Sequence, residues 1–111
     1  MNWIHIENEQ QLATIKELSN NTPQIIFKHS MRCSISSVAK KRLERGSVPD
    51  GMPFYFLDLL KFRGISNKIA QEFDVPHQSP QLLIIVKGAC VYDASHTGIH
   101  LEEIISNAFT A

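Results

Sequence analysis

A chain of 111 residues is long enough for one domain whose hydrophobic core needs no disulfide staples. Its 11 basic side chains balance its 11 acidic ones, so the formal net charge is zero and a general electrostatic attraction to nucleic acid or acidic membranes is excluded. The first residues lack the pattern of a signal peptide and no apolar run approaches the ~20 residues that span a bilayer, so we expect a cytoplasmic protein without a nucleic-acid or membrane partner.

Short breaks containing Asn, Pro or Gly divide the chain into alternating strands and helices. Continuous apolar runs mark the strands, and apolar residues spaced by three or four mark the helices. Asn8 is predicted to cap the first helix, with Gln11 completing a capping box. In chain order the predicted elements are a strand over 3–6, a helix from about 9, a strand over 24–28, a helix over 34–45, a strand over 53–58, a helix over 62–73, a hairpin of 82–86 and 89–92, and a helix over 101–108.

The βαβαβαββα order predicts an α/β domain over residues 1–111, in which helices flank a mixed central sheet. The early strands should be parallel, and the terminal hairpin should add an antiparallel edge. Proteins with a thioredoxin-like fold share this order of elements. In the second helix, the apolar spacing predicts that the side chains facing the core are Ile35, Val38, Ala39 and Leu43.

Cys33 lies where the second predicted strand passes into the second predicted helix, a position that favours thiol chemistry. The thiolate, and not the thiol, attacks a disulfide sulfur. Unpaired backbone N–H groups and the positive end of the helix dipole stabilise an anion at the start of a helix. We therefore predict that Cys33 is a reactive nucleophile rather than a buried packing residue.

Polar neighbours of Cys33 are candidates for assisting it. Ser36, at the third position after Cys33, is within reach of the thiolate and is expected either to donate a hydrogen bond to it or only to cap the helix. Lys28, His29 and Arg32 either add positive potential or belong to a solvated loop. The motif is C-x-x-S, with one nucleophile and no resolving cysteine in the usual place.

The second part of the predicted site, after Cys33 and its neighbours, is the dipeptide Ser79-Pro80, just before the strand over 82–86. Proline is tolerated there because the first residue of a strand need not donate a hydrogen bond to the sheet. A cis bond between the two residues would expose the backbone of Ser79 beside the reactive sulfur.

Three segments together resemble the monothiol bacilliredoxins of the bacillithiol system, the YtxJ-like family. They are residues 28–36 (KHSMRCSIS), residues 79–81 (SPQ) and residues 94–96 (ASH). The resemblance extends over nearly the whole chain and is specific as a set. One departure is Ser34, because the family usually has proline directly after the cysteine.

The resemblance implies a thioredoxin fold with a cis bond before Pro80. It also implies that Cys33 removes bacillithiol from mixed disulfides on S-thiolated client proteins and becomes bacillithiolated itself. Bacillithiol would then be a co-substrate that restores the thiol, with no tightly bound cofactor. We assign substrate contacts to Arg32, Ser34, Ser79 and Pro80.

The remaining candidate residues are expected to be structural. Cys90 follows the hairpin turn, roughly 20 Å from Pro80 at ~3.3 Å per strand residue, whereas a disulfide needs Cα atoms within about 7 Å. We therefore expect Cys90 to be a small core residue. His96 is expected to order a strand-to-helix turn, and Asp58 is either a buried proton acceptor or a strand-end turn residue. No spacing of His and Cys suits zinc, so we predict no metal site.

Two other functions stay open at this point. A C-x-x-S motif without a resolving cysteine is also typical of a non-catalytic thioredoxin-fold binding module, in which a groove at Ser79-Pro80 would hold an extended segment of a partner. A sensor of low-molecular-weight thiols would use Cys33 as well, but it requires a change of shape on modification.

Overall fold

The computed structural model describes residues 2–49 and 51–110. Its elements in chain order are β1 Trp3–His5, α1 Gln10–Leu18, β2 Gln24–His29, α2 Ser34–Arg45, β3 Phe54–Asp58, α3 Arg63–Glu72, β4 Gln81–Val86, β5 Ala89–Ser95, a short 3₁₀ helix His96–Gly98, and α4 Leu101–Thr110. The strands form one five-stranded sheet in the order β1-β3-β2-β4-β5. Strands β1, β3 and β2 run parallel, whereas β4 is antiparallel to both of its neighbours.

The predicted α/β architecture with a mixed central sheet is confirmed, and most element bounds agree within a residue or two. The predicted capping box at the start of α1 is present, since the Asn8 side chain accepts from the Gln11 N–H at 3.1 Å and the Gln11 side chain accepts from the Asn8 N–H at 3.1 Å. Strand β5 is longer than predicted and has a bulge. Ile84 pairs with Tyr92 and Ile85 with Cys90, so Val91 is the extra residue.

The core has two layers, one on each face of the sheet, because neighbouring residues of a strand point to opposite faces. On β2, Ile26 packs with the apolar side chains of α1 and α3, whereas Ile25 and Phe27 pack with those of α2 and α4. All three are fully buried, and each contributes about 1.5–3 kcal/mol of hydrophobic stabilisation. Burial on both faces explains why residues 25–27 of β2 are all apolar.

The predicted core side of α2 is wrong in part. Ala39 and Leu43 are buried, but Ile35 is 43% exposed and Val38 is 55% exposed. The buried stripe of the helix instead begins at the fully buried Ser36 and continues through Ala39 and Leu43 at spacings of three and four residues. Two apolar side chains at the start of α2 are therefore left on the surface.

Among the described residues, no helix combines the length and the apolar character that crossing a membrane requires.

Candidate active site

The predicted site residues meet at one edge of the sheet. Strand β2 ends at His29 where the antiparallel strand β4 begins, with Lys28 opposite Gln81. Continuing that register by two residues brings Ser79 and Pro80 beside the chain that leaves β2. The segment leading to Cys33 and the segment containing Pro80 therefore lie at the same edge.

Cys33 is the N-cap residue of α2, directly before its first residue. Its backbone is extended (φ −104°, ψ 118°), its N–H donates to the Ser30 carbonyl at 3.2 Å, and its carbonyl accepts from the Ser37 N–H at 3.1 Å. The side chain is half-buried and the thiol is free. Cys33 therefore lies directly before the first turn of α2.

Ser36 lies on the inner side of this turn, and its hydroxyl contacts His29 and Ser30. The Oγ atom is 2.6 Å from His29 Nδ1 and accepts from the Ser30 N–H at 3.1 Å. Two roles were predicted for the Ser36 hydroxyl, a hydrogen bond to the Cys33 thiolate or a cap of the helix. Neither is found among the described residues, where the hydroxyl contacts His29 and Ser30 instead. Ser36 thus orders the turn that carries Cys33.

Of Lys28, His29 and Arg32, only the exposed Arg32 fits the interpretation as part of a solvated loop. His29 is buried, and burial together with the nearby charge of Lys40 lowers its pKa. Lys28 is fully buried, and burial lowers its pKa to about 8. Both belong to β2, which continues one residue beyond the predicted strand, to His29.

The Ser79–Pro80 peptide bond is cis, as the resemblance implied. Pro80 is buried, and its carbonyl accepts from the His96 N–H at 3.0 Å. Ser79 is half-buried, and among the described residues no hydrogen-bond partner is found for its hydroxyl, N–H or carbonyl group. The backbone of Ser79 is therefore unpaired at the edge that carries Cys33.

His96 was expected only to order a turn, but it also lies in the groove beside Cys33. Its backbone has a positive φ of 55°, and its Nε2 is 3.0 Å from Oε1 of Gln78, two residues before Pro80. The sequence suggests no chemistry for His96. Its place in residues 94–96 of the resemblance is the only signal that points to a role in the site. The groove has a volume of about 220 Å³ and is lined by Ser34, Ile35, Val38, Ala39, Arg42, His96 and Thr97.

Cys90 is remote from this edge, as expected. It pairs with Ile85, five residues along β5 from Ser95, which pairs with Gln81 at the active edge. Five strand residues span roughly 17 Å, beyond the reach of a disulfide. Its Sγ donates to the Tyr92 carbonyl at 3.3 Å, and burial raises the pKa of the thiol.

Two smaller expectations concern Asp58 and metal binding. The Asp58 side chain accepts hydrogen bonds from the backbone N–H groups of Leu60 and Lys61 at 3.1 and 3.3 Å. These bonds close the turn at the end of β3, so Asp58 acts as a strand-end turn residue. Within residues 2–49 and 51–110, no group of three or more His, Cys, Asp or Glu side chains could hold a metal ion.

Comparison with known proteins agrees with this geometry. A solved structure described as a candidate oxidoreductase with a thioredoxin fold superposes with a TM-score of 0.81 at 26% identity, covering 94% of this chain and 91% of the other. Thioredoxin from Malassezia sympodialis gives a TM-score of 0.72 at 15% identity, covering 98% and 90% of the two chains. Thioredoxin from Fasciola hepatica gives 0.72 at 15% identity, covering 94% and 97%. The fold is that of thioredoxin.

The family model described as monothiol bacilliredoxin BrxC matches residues 4–104. The chain belongs to this family. Together with the thioredoxin-fold oxidoreductase neighbours, the family supports a thiol redox function.

Proposed function

We propose that this member of the monothiol bacilliredoxin family is a thiol–disulfide oxidoreductase that removes bacillithiol from mixed disulfides on client proteins, with Cys33 as the nucleophile. One observation carries the proposal: a free thiol lies at the N-cap of α2, at the edge that also holds cis-Pro80, while the other thiol of the chain lies at the far end of the sheet. An external thiol is then required to restore Cys33.

The proposed reaction has two exchange steps. The Cys33 thiolate attacks the bacillithiol sulfur, a Cys33–bacillithiol disulfide forms, and the client sulfur leaves as a thiolate that takes a proton from water. The thiolate of free bacillithiol then attacks this disulfide and releases the Cys33 thiolate. One mixed disulfide on the client is exchanged for one bacillithiol disulfide, so disulfide bonds are conserved.

The surroundings of Cys33 suit a substrate with an extended backbone. The unpaired N–H and carbonyl of Ser79 offer one position of strand-like pairing to a client segment. The exposed side chains of Ile35 and Val38 offer apolar contact beside it, and Ser34 and Arg32 lie next to the sulfur in sequence. In this proposal Ser36 has a positioning role, since its hydroxyl supports the turn before Cys33.

The decisive experiment incubates the protein with a peptide that carries a bacillithiol mixed disulfide. We expect mass spectrometry to find bacillithiol on Cys33 and a stoichiometric amount of released peptide thiol, with turnover only when free bacillithiol is added. Cys33→Ser should abolish transfer, and Cys90→Ser should retain it. Absence of the adduct on the wild-type protein, with release no faster than without protein, would contradict the proposal.

The identity of the thiol and the site of action are parts of the same proposal. Peptides carrying cysteine or glutathione in place of bacillithiol should exchange with Cys33 more slowly. Because a free catalytic thiol persists in a reducing compartment, we place the reaction in the cytosol. Isolation of the protein from its own cytosol should yield Cys33 with the mass of bacillithiol added after oxidative stress, and a different added mass would contradict this choice of thiol.

The alternative of a non-catalytic binding module is favoured by the apolar groove beside Ser34. Capture of client proteins on immobilised wild type and Cys33→Ser separates the two functions. Undiminished capture by Cys33→Ser, with no mixed disulfide on the wild type, would support the module and contradict the enzyme.

A further inference from the structure

Lys28 is a fully buried lysine near the end of β2, the central strand of the sheet. It follows Ile26 on the face of β2 that packs against α1 and α3, where an apolar residue would continue the core. The two ion pairs of the described residues, Lys16–Glu72 and Lys40–Glu44, do not include it. A buried cation without an anion lowers the stability of the folded protein. The contacts of Lys28 therefore indicate what it contributes instead.

The contacts of Lys28 lead to the segment that precedes cis-Pro80. Its Nζ donates to the Ser66 carbonyl at 3.2 Å and lies 3.3 Å from His77 Nδ1, and the Ser66 hydroxyl is 3.2 Å from the same nitrogen. An ammonium group has donors only, so His77 Nδ1 accepts and the neutral ring carries its proton on Nε2. His77 is three residues before Pro80.

Gln81, the register partner of Lys28, holds the same segment from the neighbouring strand. It is also fully buried, its Nε2 donates to the Pro76 carbonyl at 3.0 Å, and its Oε1 accepts from the Gln78 N–H at 3.4 Å. The buried side chains of Lys28 and Gln81, which are neighbours in the sheet, therefore both contact the segment 76–78. The backbone of Ser79 and Pro80 follows directly.

We propose that Lys28 is a positioning residue, which acts through His77 to hold the segment before cis-Pro80 where a client backbone can pair with Ser79 while its disulfide reaches Cys33. The inference rests on the proposed function, since it concerns how the client is presented to Cys33. Lys28 itself does not touch the reacting sulfurs.

The test compares Lys28→Met with two substrates. Methionine fills the space of the lysine stem and removes the ammonium. For a peptide mixed disulfide we expect KM to rise about tenfold while kcat stays within about twofold, because only the presentation of the backbone is disturbed. For bis-hydroxyethyl disulfide, which has no peptide backbone, the rate of exchange with Cys33 should be unchanged. The matched control is Lys68→Met, at an exposed position of α3.

Variants of His77 keep the inference testable if Lys28→Met does not fold. His77→Asn retains an acceptor near the position of Nδ1 and should keep the wild-type KM for the peptide. His77→Leu should raise it about as much as Lys28→Met, and the double variant should be no worse than either single one, because both act through one contact.

The outcomes separate this inference from the function on which it rests. If wild type exchanges with neither substrate, the proposed function fails. If wild type is active and the variants leave the peptide KM unchanged, or lower exchange equally with both substrates, only the positioning role of Lys28 is overturned.

Discussion

The two ends of the sheet carry one cysteine each and are built in opposite ways. Around Cys33, the strand ends bury polar side chains, and Lys28, Ser36 and Gln81 are all hydrogen-bonded. Around Cys90, the cysteine packs against the apolar cluster between the sheet and helices α1 and α3. The same residue type is therefore placed for reaction at one end and for packing at the other, and the surroundings make the difference.

Polar contacts at the hairpin end serve a simpler purpose. Lys87 and Gly88 form the turn with positive φ values of 51° and 78°, and the two backbone N–H groups donate to the carbonyl and the hydroxyl of Ser19 at 2.8 Å. These bonds hold both N–H groups of the turn. At the active end, by contrast, the Ser79 backbone has no hydrogen-bond partner within the described part of the chain.

The largest expected effect distinguishes the two cysteines. Cys33→Ser should lower the exchange rate with a mixed-disulfide peptide at least about a thousandfold, because a hydroxyl does not replace a thiolate in this chemistry. The exchange rate of Cys90→Ser should stay within about twofold of the wild-type rate in the same assay. Stopped-flow measurement of peptide thiol release checks both variants. A comparable loss in Cys90→Ser at full folding would contradict the assignment of Cys90 to packing.

The second effect concerns the stability cost of the buried Lys28. Because burial lowers its pKa from 10.5 to about 8, the unfolded chain binds more protons than the folded one between these values. The penalty is therefore full below pH 8, at about 3 kcal/mol, and disappears as the pH rises to 10.5. Lys28→Met should be more stable than wild type near neutral pH by about 1–3 kcal/mol, since lost hydrogen bonds offset part of the gain.

Urea unfolding of both proteins at about pH 7 and about pH 10 checks this prediction. The advantage of Lys28→Met should shrink at the higher pH. In Lys68→Met an exposed lysine is replaced, and its free energy of unfolding should differ little from that of wild type at either pH. An advantage that is independent of pH would show that the charge of Lys28 is not its cause.

The third effect is at Ser36. Ser36→Ala leaves His29 Nδ1 and the buried Ser30 N–H without their partner, and should lower the free energy of unfolding by about 1–3 kcal/mol. Ser37→Ala is the matched control, because Ser37 is only half-buried, and should cost less than about 0.5 kcal/mol. Equal losses in the two variants would mean that the hydroxyl contacts of Ser36 do not stabilise the turn.

The smallest effect is the reactivity of Cys90. Burial raises the pKa of its thiol, and its Sγ is bound to the Tyr92 carbonyl, so alkylation by iodoacetamide should be slower in the native protein than in urea. Mass spectrometry of Cys33→Ser, which leaves Cys90 as the only thiol, measures the two rates. Equal rates would place Cys90 on the accessible surface.

The sequence predicts the architecture and the position of Cys33 well, because these depend on local patterns. Apolar runs, helical spacing and the strand-to-helix junction all lie within short segments, and the cis bond before Pro80 came from the resemblance. The burial of Lys28 could not be predicted, since its partners Ser66 and His77 are 38 and 49 residues away. The exposure of Ile35 was missed because the buried stripe of α2 begins at a serine, and the contact of that serine with His29 on β2 explains its burial.

The bulge at Val91 has a consequence for the behaviour of the protein in concentrated solution. Strand β5 is an edge strand of seven residues, long enough for the sheet of another molecule to extend it. The extra residue interrupts its regular spacing, and the exposed Asp93 places a charge on this edge strand. At the opposite edge, β1 offers only three residues. Both margins of the sheet thus discourage edge-to-edge aggregation.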